Sequence, residues 1–183
     1  SDVMTGLPGD DEDEQARYME ASIGGVRVAT IYLPNGNPAP GPKFDFKLAW
    51  MNRLTARATD LLKDEMPVVL AGDFNVIPQD IDCYDPPGWV GDALTRIESR
   101  SAFFKICHNG YMDALRALHP SGVHYTYWDY QAGAWQRDNG VRIDHLMLSP
   151  EAADRLVEVG VDKAPRGLEK PSDHTPIWCE LDI

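Results

Sequence analysis

The sequence predicts an α/β protein with a mixed sheet. Segments that have the pattern of strands alternate along the chain with segments that have the pattern of helices. Several strand patterns end at polar residues, which suits a mixed sheet better than a regular succession of parallel strands. The 183 residues are enough for one domain with a sizeable core, and no repeat or low-complexity linker marks a boundary.

In the first half of the chain, two strand patterns enclose one helix pattern. Residues 26–33 are apolar and β-branched, and the Pro-Asn-Gly at 34–36 predicts a stop. Apolar residues recur at helical spacing over 44–62, which predicts an amphipathic helix with a basic face. The basic residues of that face are Lys43, Lys47, Arg53, Arg57 and Lys63. Residues 68–71 then predict a short buried strand that runs directly into Gly72 and Asp73.

The second half predicts shorter elements. Two helices are expected over 92–107 and 111–118, followed by an extended aromatic segment over 125–130. Residues 141–148 predict a strand, and a short helix should begin at Pro150, because proline is favoured at the first helical position. Residues 175–183 predict a closing strand.

The net charge of the chain excludes one class of function. The chain carries 29 acidic and 17 basic residues, a net charge of −12, which excludes a protein that coats nucleic acid through a uniformly basic surface. Residues 1–20 hold seven acids and one base, and the rest hold 22 acids and 16 bases, so each part contributes −6. We expect the acidic stretch at 10–14 to be a solvated turn.

The sequence shows no feature of a membrane or secreted protein. No run approaches the ~18 apolar residues of a membrane span, so no membrane partner is expected. Cys83, Cys107 and Cys179 are odd in number and far apart, which is typical of a reducing compartment and predicts a cytoplasmic protein.

Polar groups interrupt or end three apolar strand patterns. Asp73 and Asn75 follow the second strand, Asp144 lies inside the third, and Asp173 and His174 precede the last. A carboxylate in an apolar strand costs several kcal/mol unless it is paired or bound to a metal. A turn stabilised by the Asp73 side chain would explain that motif equally well. Strand ends nevertheless converge where α/β folds build their sites, so we expect a common site.

Such a cluster suits hydrolysis of a phosphate diester. Carboxylate and amide oxygens are hard ligands for Mg²⁺ or Mn²⁺. A histidine oriented by an aspartate can activate water or donate a hydrogen bond to phosphate, which is the chemistry that His174 with Asp144 or Asp173 would supply.

Four ordered motifs, which span nearly the whole chain, resemble those of the exonuclease III (AP endonuclease) family within the endonuclease/exonuclease/phosphatase superfamily. They are residues 32–36 (YLPNG), 70–75 (LAGDFN), 142–145 (RIDH) and 170–174 (KPSDH), with GLPGDD at 6–11 and YTYWDY at 125–130. The resemblance implies two mixed β-sheets packed face to face and flanked by helices, a four-layer sandwich. It also implies Mg²⁺- or Mn²⁺-dependent hydrolysis of duplex DNA at abasic sites and 3′ ends, as part of base excision repair.

The resemblance also implies roles for individual residues. Asp73 would position or deprotonate the attacking water, and Asn75 would stabilise the transition state. Asp144 would orient His174 toward the scissile phosphate, which Tyr32 would also contact. The residues implied for the metal are Asp73, Asn75 and Asp173.

A further group is implied for the DNA side. Its members are Asn35, Tyr127, Trp128 and Arg142. A plain core role explains Tyr127 and Trp128 equally well. His145 should face the opposite side of its strand from Asp144 and be structural.

The chain departs from the family pattern at its front. Family members begin with a strand that carries an Asn and, shortly after it, a metal-binding Glu. Glu12, Glu14 and Glu20 lie in or just after the acidic opening, so none of them fits that position. We therefore expect a single domain over residues 1–183 that lacks the amino-terminal third of the family. Its uncovered sheet edges would favour self-association, and its activity alone would be weak or absent.

Two alternatives remain open. A superfamily relative could act on another phosphate ester, such as an inositol phosphate or sphingomyelin, with the same Gly-Asp-x-Asn and Ser-Asp-His motifs. A non-catalytic fragment could instead bind DNA or protein through the basic helix at 43–63 and the aromatic loop at 125–130. The opening at 6–11 and the segment at 127–130 favour the nuclease.

Overall fold

Two β-sheets form the frame of the protein, whose computed structural model describes Ser1–Ile183. The strands are β1 (Met4–Thr5), β2 (Tyr18–Ile23), β3 (Val26–Tyr32), β4 (Val68–Asp73), β5 (Met112–Asp113), β6 (Asp144–Leu148), β7 (Leu156–Val161) and β8 (Ile177–Leu181). The α-helices are α1 (Pro42–Leu61), α2 (Ile97–His108), α3 (Ala114–Leu118) and α4 (Pro150–Ala153). Single 3₁₀ turns cover Leu62–Asp64, Asp80–Asp82, Pro86–Trp89 and Ala164–Gly167.

The first sheet has six strands in the order β1-β2-β3-β4-β6-β5. Only β3 and β4 run parallel, with α1 as the crossover between them, and the other pairs are antiparallel. Strands β7 and β8 form a second, antiparallel sheet of two strands. The expected mixed α/β architecture is therefore confirmed.

Apolar side chains join these layers. Helices α1 and α2 cover one face of the first sheet, through a cluster that includes Trp50, Leu54, Leu70 and Phe103. On the other face, a second cluster joins the first sheet to β7, β8 and α3. A third cluster packs the loops beside the carboxyl ends of β3 and β4. No helix has the length and apolar character needed to cross a lipid bilayer.

Some predicted bounds differ from the structure for local reasons. Helix α2 begins at Ile97 and not at 92, because the Asp92 carboxylate accepts a hydrogen bond from the Leu94 amide (2.8 Å) and fixes a turn. Asp113 ends the short β5 and caps α3. The aromatic segment forms no strand and makes only isolated bridges through Tyr127.

The basic residues predicted for one face of α1 divide in the structure, because Lys43 and Lys63 are exposed whereas Lys47, Arg53 and Arg57 are turned toward the protein. Lys47 is fully buried, and Arg53 pairs with Asp13 in the acidic opening (2.7 Å). Arg57 pairs with Glu20, which is buried in β2 and also accepts from Arg27. Arg53 and Arg57 point inward because the opening and β2 supply carboxylates against the helix.

Candidate active site

Strand register brings three candidate side chains to one end of the first sheet. Tyr32, the last residue of β3, is the register partner of Asp73, the last residue of β4. Asp144, the first residue of β6, is the partner of Asp73 on the other side. Because β6 runs antiparallel to β4, its first residue lies at the edge of the sheet where β3 and β4 end.

Gly72 allows the strands to come this close. Its backbone has a φ of +136°, and a Cβ there would overlap the carbonyl oxygen of Ile31 and lie 2.9 Å from the Ile31 nitrogen. A side chain at this position would push β4 away from β3. The glycine of the Gly-Asp-x-Asn motif is therefore required by the sheet.

Asp73 and Asn75 form one hydrogen-bonded unit. Oδ1 of Asp73 accepts from the Asn75 amide (2.8 Å), and Oδ2 accepts from Asn75 Nδ2 (2.9 Å). Asn75 has a left-handed φ of 48° and also donates to the Leu33 carbonyl (2.9 Å). Asn35 Nδ2 donates to Asn75 Oδ1 (3.0 Å). The turn that the Asp73 side chain stabilises is therefore itself part of the candidate site, so the two interpretations of this motif do not exclude each other.

The Asp73 carboxyl holds its proton unusually well. Burial and the neighbouring Asp144 raise the pKa of Asp73 to about 7, against the opposing effects of Asn75, His174 and Lys47. A carboxylate with a pKa near neutrality can accept a proton in a reaction at that pH. Its acidic neighbour and its burial also make it a place where a cation would be favourable.

His174 and Asp144 form a dyad. His174 Nδ1 lies 2.8 Å from Asp144 Oδ2, and the Tyr127 ring packs edge-on at 5.0 Å from the imidazole. Burial would lower the pKa of His174, but the hydrogen bond and charge of Asp144, with Asp73 and Asp173, outweigh it and raise the pKa. With Nδ1 engaged, Nε2 is the nitrogen left for a substrate.

Most of the predicted residues share one cavity of about 270 Å³. The predicted residues in its lining are Tyr32, Asn35, Asp73, Asn75, Tyr127 and His174. Asp144 stands behind His174. Trp89 and Asp92, which sequence reasoning did not single out, also line this cavity. A neighbouring cavity of about 290 Å³ shares Trp89 and Tyr127.

Arg142 and Trp128 do not lie on the DNA side, and those two predictions are wrong. Arg142 is 0 % exposed and donates to Asp82 (2.8 Å) and Asp113 (2.8 Å). Trp128 is also 0 % exposed, with its Nε1 donating to Asp138 (2.9 Å). A buried guanidinium that is paired with two carboxylates has no free face for a phosphate.

His145 is structural, as expected. It is fully buried on the side of β6 opposite Asp144 and pairs in register with Gly72. One ring nitrogen lies 2.9 Å from the Val76 carbonyl, and the other faces Arg142 at 3.0 Å. Both nitrogens are therefore engaged.

The predicted metal ligands do not form a closed cage. The structure contains no group of three or more His, Cys, Asp or Glu side chains that could hold an ion. Asp173 is absent from the cavity lining, and both polar atoms of the Asn75 amide are engaged in hydrogen bonds. Asp73 remains as one carboxylate, which fits an ion such as Mg²⁺ that binds few carboxylates and keeps several waters.

Lys47 is a site residue that sequence reasoning placed wrongly. Its ammonium donates to the main-chain carbonyls of Asn35 (3.0 Å) and Asn75 (2.5 Å). Burial lowers the pKa of Lys47 to about 7, although Asp73 and Asp92 oppose the shift. The signal was present, because position 47 follows Phe44 by three residues and precedes Met51 by four, on the apolar stripe of α1.

Sequence comparisons match this chain to one family and to proteins named as exodeoxyribonucleases. The model of the endonuclease/exonuclease/phosphatase family matches residues 2–174. Exodeoxyribonuclease III of Haemophilus influenzae is 30 % identical, over 98 % of this chain and 72 % of that protein. The exodeoxyribonuclease of Bacillus subtilis is 29 % identical, over 99 % of this chain and 70 % of that protein.

Solved structures agree with these sequences. The 3′-5′ exonuclease NExo from Neisseria meningitidis superposes with a TM-score of 0.97 at 41 % identity, over the whole of this chain and 72 % of that one. A variant of the 3′ phosphatase NExo from Neisseria, bound to a product DNA hairpin, has the same TM-score of 0.97 at 40 % identity, over 100 % of this chain and 71 % of that one. An AP endonuclease from Archaeoglobus fulgidus has a TM-score of 0.94 at 35 % identity, over 100 % of this chain and 71 % of that one.

Proposed function

The chain belongs to the endonuclease/exonuclease/phosphatase family, and on that premise we propose that it is a DNA-repair nuclease of the exonuclease III type. It hydrolyses phosphodiesters of duplex DNA at abasic sites and 3′ ends. The observation that carries the proposal is the shared cavity, where Tyr32, the Asp73–Asn75 pair and the His174–Asp144 dyad face one small volume. Relatives named as nucleases favour DNA over an inositol phosphate or sphingomyelin.

Asp73 acts on the attacking water. Its carboxylate is fixed at both oxygens by Asn75, so its direction is set before substrate arrives. A preorganised carboxylate spends little free energy on orientation during the reaction. Asn75 contributes first by holding Asp73 and, with Asn35 beside it, lies next to the phosphate that the cavity would enclose.

His174 and Tyr32 stabilise the phosphate. The Asp144 hydrogen bond favours the protonated imidazole, which donates from Nε2 to a phosphate oxygen. Tyr32 is 55 % exposed, and the Arg17 guanidinium lies over its ring at 4.9 Å. The phenol is thus held at the cavity mouth while its hydroxyl stays accessible.

A metal ion belongs to this chemistry. Nucleases of the exonuclease III family are metal-dependent. We propose Mg²⁺ or Mn²⁺, held by Asp73 and completed by water and substrate phosphate, where it would offset the charge that develops on the phosphate. Asn75 and Asp173 are not proposed as direct ligands, because the uncharged Asn75 oxygen already accepts from Asn35 and Asp173 lies outside the cavity lining. Each oxygen of the Asp73 carboxylate accepts one hydrogen bond from Asn75 and keeps a lone pair for the ion.

We also propose that residues 1–183 act as one domain in a reducing compartment such as the cytoplasm. The two sheets share an apolar cluster to which Val69, Leu148 and Val159 contribute, which supports one cooperative unit. Cys83, Cys107 and Cys179 are all unpaired, as is usual where thiols stay reduced.

Cleavage assays test the nuclease. The substrates are duplexes with one abasic site, a recessed 3′ end or a 3′-phosphate, with an inositol phosphate for comparison, each with Mg²⁺ or Mn²⁺. We expect Asp73→Asn and His174→Ala to lose about 10²–10⁴-fold in turnover, with DNA affinity nearly unchanged. The exposed Asp154→Asn is the matched control and should behave as wild type.

Each outcome has a distinct meaning. Near wild-type turnover in Asp73→Asn or His174→Ala would reject the assigned roles. Hydrolysis of the inositol phosphate without DNA cleavage would reject the nuclease. The cavity lining contains no glutamate, so turnover by this chain alone also shows whether Asp73 suffices as the acidic ligand.

A further inference from the structure

Lys47 is a buried cation that the proposed chemistry does not use. It lies on α1 with an exposure of 0 %, and its ammonium forms no ion pair with any carboxylate. Its partners are two main-chain carbonyls, those of Asn35 at 3.0 Å and Asn75 at 2.5 Å. Removing an ammonium from water is costly, so a fold that needed only volume here would favour an apolar side chain such as methionine.

The two carbonyls belong to different loops. Asn35 follows β3, and Asn75 follows β4, so a single ammonium connects the loops that leave the two parallel strands. The side chains of the same two residues meet on the cavity side, where Asn35 Nδ2 donates to Asn75 Oδ1 (3.0 Å). Asn75 in turn fixes both oxygens of Asp73.

We propose that Lys47 is a positioning residue, which sets the spacing of the Asn35 and Asn75 loops and through them the direction of the Asp73 carboxylate. The proposal rests on the proposed function, because it assigns Lys47 to the same site. Lys47 does not line the cavity and touches no substrate, so it acts only through these loops.

The close packing of Gly36 against Lys47 supports this role. Gly36 has a φ of +91°, and a Cβ there would lie 2.7 Å from Lys47 Cδ and 3.3 Å from Lys47 Cβ. The loop therefore packs directly against the aliphatic stem of the lysine. A change at either position should disturb the other.

Kinetics of four variants test the proposal. Lys47→Met keeps the volume but removes the donors, Lys47→Arg keeps donors, and Gly36→Ala displaces the stem. We expect Lys47→Met and Gly36→Ala to lower kcat on abasic duplex about 10- to 100-fold with KM changed less than about threefold, and Lys47→Arg to recover part of kcat. Thr55→Val is the matched control, because Thr55 is buried on the same helix and its hydroxyl donates only within it, to the Met51 carbonyl; its kcat should stay at the wild-type value.

A second readout does not depend on activity. In protein labelled with ¹⁵N-asparagine, the side-chain amide signals of Asn35 and Asn75 should shift in Lys47→Met, while those of Asn52 and Asn109 stay in place. If wild type hydrolyses the inositol phosphate and not DNA, the proposed function fails, but the shifted signals still support the positioning role. Unshifted Asn35 and Asn75 signals, or a kcat within about twofold of wild type in a folded Lys47→Met, would overturn it.

Discussion

At the scale of single residues, the protonation of His174 depends on Asp144. The 2.8 Å contact favours the imidazolium against the effect of burial, so the carboxylate extends the pH range in which His174 can donate to phosphate. Asp73, beside the same Asp144, has its pKa raised instead, because burial disfavours its charge and two carboxylates repel. One acid thus raises the pKa of a donor and of an acceptor that line the same cavity.

Asp144→Asn should move the pH profile of cleavage toward acid, because Asp144 raises the pKa of both His174 and Asp73. Without the negative charge the pKa of His174 falls, so the protonated form is lost at a lower pH. The alkaline limb of kcat against pH should therefore move toward acid, with a loss of about 10- to 100-fold in kcat near neutrality. Asp173→Asn is the control, since Asp173 influences His174 without a hydrogen bond, and its shift should be smaller. An unmoved alkaline limb in Asp144→Asn would contradict the assignment.

Sequence motifs placed Asp73, Asp144 and His174 in one predicted site but could not show which side chains face outward. Strand ends predict Asp73 and His174, the family resemblance implies Tyr32, and all three line the same cavity. Arg142 belongs to the same motif as Asp144, yet it turns toward Asp82 and Asp113, which lie far away in sequence. Only the folded packing reveals such partners, and the same is true of the carbonyls that bind Lys47.

At the scale of elements, the site depends on how closely β3 and β4 approach. Their parallel register places Tyr32 beside Asp73, and Gly72 leaves room for the Ile31 backbone. The periodic pattern of α1 and the apolar runs of β3 and β4 predicted these elements nearly to their ends. The segment at 125–130 was predicted less well, because its extended backbone pairs only through Tyr127.

Gly72→Ala should separate the two strands. The added Cβ overlaps the Ile31 carbonyl, and neither backbone can yield without breaking the β3–β4 ladder, so we expect a loss of at least about 3 kcal/mol in the free energy of unfolding. Urea unfolding measures it. Gly91→Ala is the control, with a φ of +89° and nothing within 4 Å of the added Cβ, so it reports the cost of the backbone conformation alone. Equal losses in the two variants would show that the overlap at Gly72 is relieved easily.

At the scale of the whole molecule, many charges act in the interior. The Arg142 and Glu20 networks place ionised groups against the core, and Lys47 places there an amine whose pKa burial lowers to about 7. Burial alone would raise the pKa of Glu20, but hydrogen bonds from Arg57, Tyr18 and Arg27 lower it to about 2. The net charge of −12 therefore does not describe the surface that DNA would meet.

The buried His145 should make unfolding depend on pH. Burial and the charge of Arg142 lower its pKa to about 4. Between about pH 6.5 and 4 the unfolded chain binds a proton that the folded protein does not, so His145 lowers the free energy of unfolding as pH falls, by on the order of 3 kcal/mol in total. His145→Gln should remove this dependence in metal-free urea unfolding.

The comparison must be made between variants. Asp73 and His174 have raised pKa values and act in the opposite direction, so the prediction concerns the difference in slope between wild type and His145→Gln. Glu20→Gln is the control, since a folded pKa near 2 affects stability only below about pH 4.5. Identical slopes for wild type and His145→Gln from about pH 6.5 to 4.5 would reject a neutral buried His145.

The positions of Tyr32, Asp73, Asp144 and His174 along the chain have a consequence for timing. The first two are joined by a crossover through α1, but His174 reaches Asp144 only after β6, α4 and β7 have been made. Asp144 and His174 are both farther from Asp73 along the chain than Tyr32 is, so their contacts with the Tyr32–Asp73 pair form later, because a longer loop must close first. During synthesis on the ribosome, Asp73 is therefore exposed before Asp144 and His174 have been made. The proposed site is complete only once the segment that carries these two residues has docked.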